Sequence, residues 1–379
     1  MSRKIRYGMV GGGRGAFIGA VHRIAAAMDQ QVELVCGAFS SDPAKSKASG
    51  GDFFLPADRC YGSFQEMITS EAALPADQRM DFISIVTPNH MHFPPAKAAL
   101  EAGFHVLSDK PATFNLAEAK SLAEIVKRTG LLYGLTHNYT GYPLVKQARE
   151  MIAAGKLGKL RKVVVEYPQG WLATRIEASG QKQASWRTDP KQAGAGALGD
   201  IGSHAFQLAE FVTGAQVSEV AADVSALVPG RVIDDNVNVM LRFANGARGS
   251  LWASQVAIGH LNSHRLRVYG DAGSIQWFQE RPEELLVVEQ GEAPRSVRRG
   301  DPGTPTSSVA LPGGHPEGFI EAFSQLYTDF AERVTARLEK RSPKAASLFA
   351  PDAATGTRVM AFIEAVLKSG QANSAWTRI

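Results

Sequence analysis

IRYGMVGGGRGAFIG, residues 5–19, decides the fold. Residues 5–10 are a short apolar run that stops at Gly11, Gly12 and Gly13. After Arg14, Gly15 and Ala16 the apolar positions take helical spacing at Val21, Ile24, Ala25 and Met28. Strand, glycine turn and helix, in that order, open a parallel α/β unit. The glycines let the backbone approach a pyrophosphate, and the helix N-terminus faces its charge. Gly11 and Gly13 take the first two positions of a GxGxxG dinucleotide pattern, and the third falls on Ala16 or, three residues later, on Gly19. Arg14, Phe17 and Ile18 complete the candidate cofactor turn.

Alternation continues outward. A second strand, 32–39, runs into Ser40 and Ser41, where a carboxylate would hold adenosine ribose hydroxyls. Two serines leave NAD or NADP open. The lack of a basic residue directly after the strand leans the reading to NAD, and Asp42 caps the next helix. Strands at 82–86, 105–108 and 131–135 alternate with helices near 95–102 and 116–129, the rhythm of a parallel sheet with crossover helices. Ligands bind beyond the carboxyl ends of such strands. Those ends carry Thr87, Pro88, Asn89, His90, Met91 and His92 after one strand, and Asp109, Lys110 and Pro111 after another. Lys110, wedged between a strand end and a proline, is placed to hydrogen-bond a substrate oxygen. Solvated lysine and polar loop filler are the plain alternatives.

The texture changes after residue 138. Tyr139 opens a polar, aromatic crossing to a helix at 144–154, followed by strands at 160–167, 217–225, 237–243, 247–254, 266–269 and 274–278. Asn245-Gly246 is a hairpin signal. Two domains follow: a dinucleotide-binding domain over 1–138 and an α+β domain with a mostly antiparallel sheet over 139–379. Two long excursions, 170–193 with Trp171, Trp186 and Arg187, and 289–317 with His315, read as pocket walls or loops. Between the first and the strand at 217 lies GAGALGDIGSH, residues 194–204. On a helix starting near Gly199, Asp200 and His204 are four apart and share a face. A proton-transfer pair fits, and so does an N-cap beside an interior histidine.

The 379 residues carry 44% hydrophobic and 21% charged residues with a net charge of +4, so neither disorder nor a basic nucleic-acid surface is indicated. Cys36 and Cys60 lack CxxC spacing and are expected as free thiols of a reducing compartment. The N-terminus lacks a signal-peptide pattern and no apolar run spans a bilayer, which gives a cytoplasmic expectation. No metal site is expected, since His90, His92, Asp200 and His204 form no HExxH-type cluster.

The glycine turn with His22 shortly after it, TPNHMH at 87–92, DKP at 109–111 and GAGALGDIGSH, in this order, resemble the Gfo/Idh/MocA oxidoreductases. The family usually has EKP where this chain has Asp109. The resemblance implies an N-terminal Rossmann domain for NAD or NADP and a C-terminal domain whose open sheet often forms the subunit interface, giving a homodimer or homotetramer. It implies a site between the domains, with Lys110 and His204 as the catalytic pair and Asp200 orienting the histidine and binding substrate. Gly11, Gly13, Arg14, Phe17, Ile18, Ser40, Thr87, Pro88, Asn89, His92, Asp109 and Lys110 would hold the cofactor. Tyr139, Trp171, Arg187, Asp200, His204 and His315 would face a polyol, cyclitol or sugar, with His315 in its own or a neighbouring subunit's site. The implied reaction is reversible oxidation of a secondary alcohol. A glycosidase-type enzyme using transient oxidation is the alternative, and a non-catalytic sensor is disfavoured by the presence of Lys110, Asp200 and His204.

Overall fold

The computed structural model describes residues 3–304 and 310–379, so residues 305–309 of the second excursion lie outside the described residues. The chain forms two compact units, Met1–Asn138 with Phe319–Thr357, and Tyr139–Gly318 with Arg358–Ile379. The expected second domain, 139–379, includes residues 319–357. Instead this segment packs on the first sheet, because its helix carries Phe323, Tyr327, Phe330 and Val334 on one stripe that completes a core there.

In the first unit the order is β1 (Ile5–Gly11), α1 (Phe17–Ala27), β2 (Val32–Ala38), α2 (Pro43–Asp52), α3 (Phe64–Ala73), β3 (Phe82–Val86), α4 (Phe93–Glu101), β4 (His105–Ser108), α5 (Leu116–Thr129) and β5 (Tyr133–Leu135). The five strands pair in parallel in the order β2-β1-β3-β4-β5. Strand alternation divides the side chains between two cores. Ile5, Tyr7, Met9, Phe82, Val86 and Leu107 face α1 and the returning helix, while Val10, Ile83, Ile85 and Val106 face residues from α3, α4 and α5. The strand order reverses beside β1, so the carboxyl ends of β1 and β3 form the crevice where ligands of such sheets bind.

The second unit runs through α6 (Pro143–Ala153), β6 (Leu160–Pro168), α7 (Lys182–Arg187), α8 (Pro190–Ala193), α9 (Ser203–Thr213), β7 (Val217–Ser225), β8 (Asn236–Phe243), β9 (Arg248–Ser254), β10 (Arg265–Gly270), β11 (Gly273–Phe278), β12 (Glu284–Glu289) and β13 (Arg295–Arg298). The chain then gives α10 (Phe319–Leu338) to the first unit, crosses between units within α11 (Ala353–Gln371), and ends in β14 (Thr377–Arg378). The second sheet has nine strands in the order β13-β12-β11-β10-β6-β9-β8-β7-β14. Every pairing is antiparallel except β6 with β9. The start of the excursion read at 289–317 therefore contains a strand, β13, beside β12. Gly246, at φ +90°, makes the turn between β8 and β9. One sheet face is apolar and buried, whereas the other alternates to Asn238, Met240, Ser250 and Trp252, with Met240 54% exposed. Among the described residues no helix is long and apolar enough to cross a membrane.

Candidate active site

At the carboxyl end of β1 the glycines are required by close approach. Gly11 and Gly12 have φ of +81° and +71°, and a Cβ on Gly11 would lie 2.6 Å from the Val86 carbonyl oxygen. A Cβ on Gly19 would lie 2.4 Å from both the Cα and the carbonyl oxygen of Gly12. Gly19 is therefore the glycine that brings helix and turn together, the role sequence alone left between Gly19 and Ala16. Asp42, Ser63 and Asn115 cap α2, α3 and α5 with their side chains, but no side chain caps α1 at Ala16. A glycine cradle leading into a helix start without a side-chain cap fits a pyrophosphate.

The other sequence candidates surround this turn in different ways. The Gly13 N–H bonds the Phe39 carbonyl at 3.2 Å, and a Cβ there would meet that oxygen at 2.7 Å. Arg14 pairs with Asp52 through Nε at 2.5 Å and NH2 at 2.7 Å. Phe17 is 68% exposed at the start of α1, and Ile18 is half-buried. The Ser40 hydroxyl accepts from the Asp42 N–H at 3.2 Å, and Asp42 accepts from the N–H groups of Ala44 and Lys45 at 2.9 and 3.0 Å. Asp42 is thus engaged as a helix cap, as expected.

At the ends of β3 and β4, His92 joins the two loops. Its Nδ1 lies 2.6 Å from the Pro111 carbonyl and its Nε2 lies 2.9 Å from the Thr87 carbonyl. Burial lowers its pKa, although both carbonyls favour a protonated ring. The Thr87 hydroxyl donates to the Met91 carbonyl at 3.0 Å, Pro88 N-caps the short turn 89–91, and Asn89 is buried. The Lys110–Pro111 bond is cis. Asp109 Oδ1 accepts from the Lys110 N–H and the Thr136 hydroxyl, both at 2.8 Å. Burial works against the Asp109 carboxylate, yet His22, Lys110, His92 and the Thr136 hydroxyl hold its pKa below the usual range. His22, whose Nε2 is 3.9 Å from Asp109, is itself pushed down to about 4 by burial.

In the second unit the 194–204 stretch is not a plain α-helix. Residues Leu198–Gly202 form a π-type turn that feeds α9, a departure often found at functional sites. Asp234 sets it up, a residue the sequence reading passed over. Its two carboxylate oxygens accept from the N–H groups of Gly196 and Leu198, both at 2.7 Å, and its carbonyl accepts from Ala197 at 3.0 Å. A Cβ on Gly196 would lie 1.8 Å from the Asp234 carbonyl oxygen, so only glycine fits. Asp234 thus satisfies N–H groups at the start of the turn, and Asp200 is not its N-cap.

The Asp200 side chain points elsewhere. Its Oδ2 accepts from Gln255 Nε2 at 2.8 Å and from Arg187 Nε at 3.2 Å. Gln255 is buried at the end of β9, and Arg187 lies over the Trp186 ring at 4.3 Å. His204 is buried with its ring edge-on to Tyr139, centroids 4.9 Å apart, and 6.3 Å from the Tyr167 ring. Tyr139 and Tyr167 are buried and joined through their hydroxyls. Burial, and to a lesser extent the Asp200 charge, raises both phenol pKa values, Tyr139 to about 12. Trp171, partly buried, donates to Gln169 at 3.1 Å. Tyr139, Asp200 and His204 therefore belong to one cluster, with Arg187 on its carboxylate. His315 is exposed, with Nδ1 3.2 Å from the Pro312 carbonyl, and its own carbonyl accepts from the Arg299 guanidinium. Tyr167, Gln255, Asn262 and His264 also belong to the cluster, and all but the strand-end Tyr167 come from loops without a sequence motif.

The fold and cradle define a dinucleotide-binding Rossmann domain. Residues 5–139 match the oxidoreductase family with NAD-binding Rossmann fold, and 145–276 match the GFO/IDH/MocA C-terminal domain. The oxidoreductase YfiI of Bacillus subtilis is 32% identical over 99% of this chain and 97% of its own length. Levoglucosan dehydrogenase of Pseudarthrobacter phenanthrenivorans is 30% identical over 76% of each chain. An inositol dehydrogenase homolog from Azotobacter vinelandii, solved with NAD+, superimposes with a TM-score of 0.94 at 34% identity over 100% of this chain and 98% of that one. An inositol dehydrogenase homolog from Azotobacter vinelandii solved with NADH and myo-inositol gives 0.92 at 32% identity over 100% of this chain and 98% of that one. The chain belongs to the GFO/IDH/MocA family of NAD-binding oxidoreductases.

Proposed function

We propose that this chain reversibly oxidises a secondary hydroxyl of a cyclitol or sugar with NAD. The observation that carries the reading is the Asp200–His204 turn, its carboxylate held by Gln255 and Arg187 and its imidazole set against Tyr139, in a chain whose other unit has the dinucleotide cradle. Relatives that act on levoglucosan or hold myo-inositol support the substrate class. Bound NAD supplies the hydride acceptor at nicotinamide C4. His204 takes the proton of the reacting hydroxyl, the general-base work most often done by an imidazole. Lys110 donates a hydrogen bond to the same oxygen as it becomes an alkoxide, which stabilises charge developing in the transition state. Asp200 orients His204 and accepts from substrate hydroxyls. Arg187 on Trp186, with Trp171, gives the polar edge and flat face that a sugar ring needs.

The test is NADH formation, followed by absorbance, across a panel of inositols, hexoses and anhydro sugars. Lys110→Ala and His204→Ala are each expected to lower turnover by about a hundredfold or more, with NADH binding by fluorescence largely retained. Wild-type turnover in either variant removes that residue from the mechanism. The open sheet face at Met240 and Trp252 is where a second copy would pair, and light scattering reads dimer against tetramer.

A further inference from the structure

Trp171, Gln169, Asn262, Tyr167 and Tyr139 form one hydrogen-bonded chain whose polarity follows from donor chemistry alone. An indole N–H only donates. Trp171 Nε1 donates to Gln169 Oε1 at 3.1 Å, so the other end of that amide is NH2, which donates to Asn262 Oδ1 at 2.7 Å. That contact fixes the Asn262 amide in turn. The Tyr167 hydroxyl donates to Asn262 Oδ1 at 2.7 Å. Having spent its only proton there, Tyr167 must accept from Tyr139 in their mutual contact. Asn262 Nδ2 then donates to Tyr139 Oη at 3.3 Å and to Gln279 Oε1 at 3.1 Å. Tyr139, Tyr167 and Asn262 close a ring, and all four hydrogen-bonding positions of the Asn262 amide are filled.

The ring has a mechanical setting. Tyr139 stands edge-on to two imidazoles, His204 at 4.9 Å and His264 at 4.5 Å. His264 also stacks on Tyr167 at 4.5 Å and 3°. His264 backs both tyrosines, and the hydrogen-bonded ring of hydroxyls and amide pins the far ends of their side chains.

We infer that Asn262 is a positioning residue for His204. It holds the Tyr139 ring at the angle that seats the imidazole, and through Gln169 it ties that seat to Trp171 on the excursion wall. The reading rests on the function proposed for His204, but the seating itself is measurable without turnover. Protein labelled at histidine Cε1 gives one resonance per histidine, and His204→Gln assigns the relevant one. Asn262→Asp keeps the shape and the acceptor but loses both donors. Tyr167→Phe keeps the aromatic packing and deletes the ring's hydroxyl, so it serves if Asn262→Asp does not fold. In either variant the ring-current shift of the His204 resonance should move, and kcat should fall on the order of tenfold to a hundredfold with NADH affinity unchanged. An unmoved His204 resonance in a folded variant overturns the inference. A moved resonance together with wild-type turnover in His204→Ala upholds the seating and sinks the catalytic role instead.

Discussion

His22 and His264 are both fully buried, one in each unit, and they differ in what surrounds their nitrogens. His22 Nδ1 is 2.8 Å from the Tyr327 hydroxyl, which also contacts Ser84 at 2.8 Å, and its Nε2 faces Asp109 at 3.9 Å. Neither nitrogen of His264 has a hydrogen-bond partner among the described residues. The first ring is a polar connector behind the cofactor end of its sheet, and the second is a flat aromatic plate behind the tyrosines. Burial of a histidine therefore says little by itself about its role, which the contacts of its two nitrogens decide.

The largest effect is expected where the first unit has no room to yield. Gly19→Val would drive a side chain into the Gly12 backbone, and an overpacked contact of this kind costs about 1–3 kcal/mol or more. NADH binding should be lost in fluorescence titration, while retention of wild-type affinity would break the assignment of Gly19 to the cradle. Next comes His22→Phe, which strips the Tyr327 hydroxyl of one partner and should lower stability by about 1–3 kcal/mol in urea unfolding at pH 7. His264→Phe removes no hydrogen bond seen here, so its change should stay within about 1 kcal/mol. Equal losses at both positions would erase the contrast.

Acid sharpens the comparison further. Burial lowers His22 to about 4 and His264 to about 3. Both rings refuse a proton that the unfolded chain accepts near its ordinary pKa of about 6.5. Their contribution to stability is present above that pH and is lost as pH falls from there towards 4 and then 3. Melting temperature should drop between pH 7 and pH 4.5, and His264→Phe should flatten the drop. A variant that falls as steeply as wild type would show that His264 does not carry that proton.

Legibility followed sequence distance. The β-α alternation, the cradle and the strand-end segments at Thr87 and Asp109 are local patterns, and they could be read within a few residues. Of the features not read, α3 did carry a local signal. Ser63 caps it through the Glu66 N–H at 3.1 Å, while Glu66 accepts from Gly62 at 2.8 Å. Asp234 and Gln255 had none, since each acts on the 196–200 turn through tertiary bonds across 36 to 55 residues. The same holds for Asn262, bonded to Tyr167 across 95 residues. A single histidine or asparagine in a loop looks the same whether it closes a ring or waves in water, and only the fold tells them apart.

The return of α10 to the first sheet has a consequence for how the protein is made. Tyr327, the partner of His22, follows it by 305 residues. At ribosomal speeds of 5–20 residues per second, that interval is roughly 15–60 s. Throughout it the α1 side of the nascent parallel sheet lacks Phe323, Tyr327, Phe330 and Val334, and strands β6 to β13 of the second sheet are synthesised meanwhile. The N-terminal half is thus the first to emerge yet stays unfinished until α10 follows, which makes that waiting apolar face the place where chaperones would be needed.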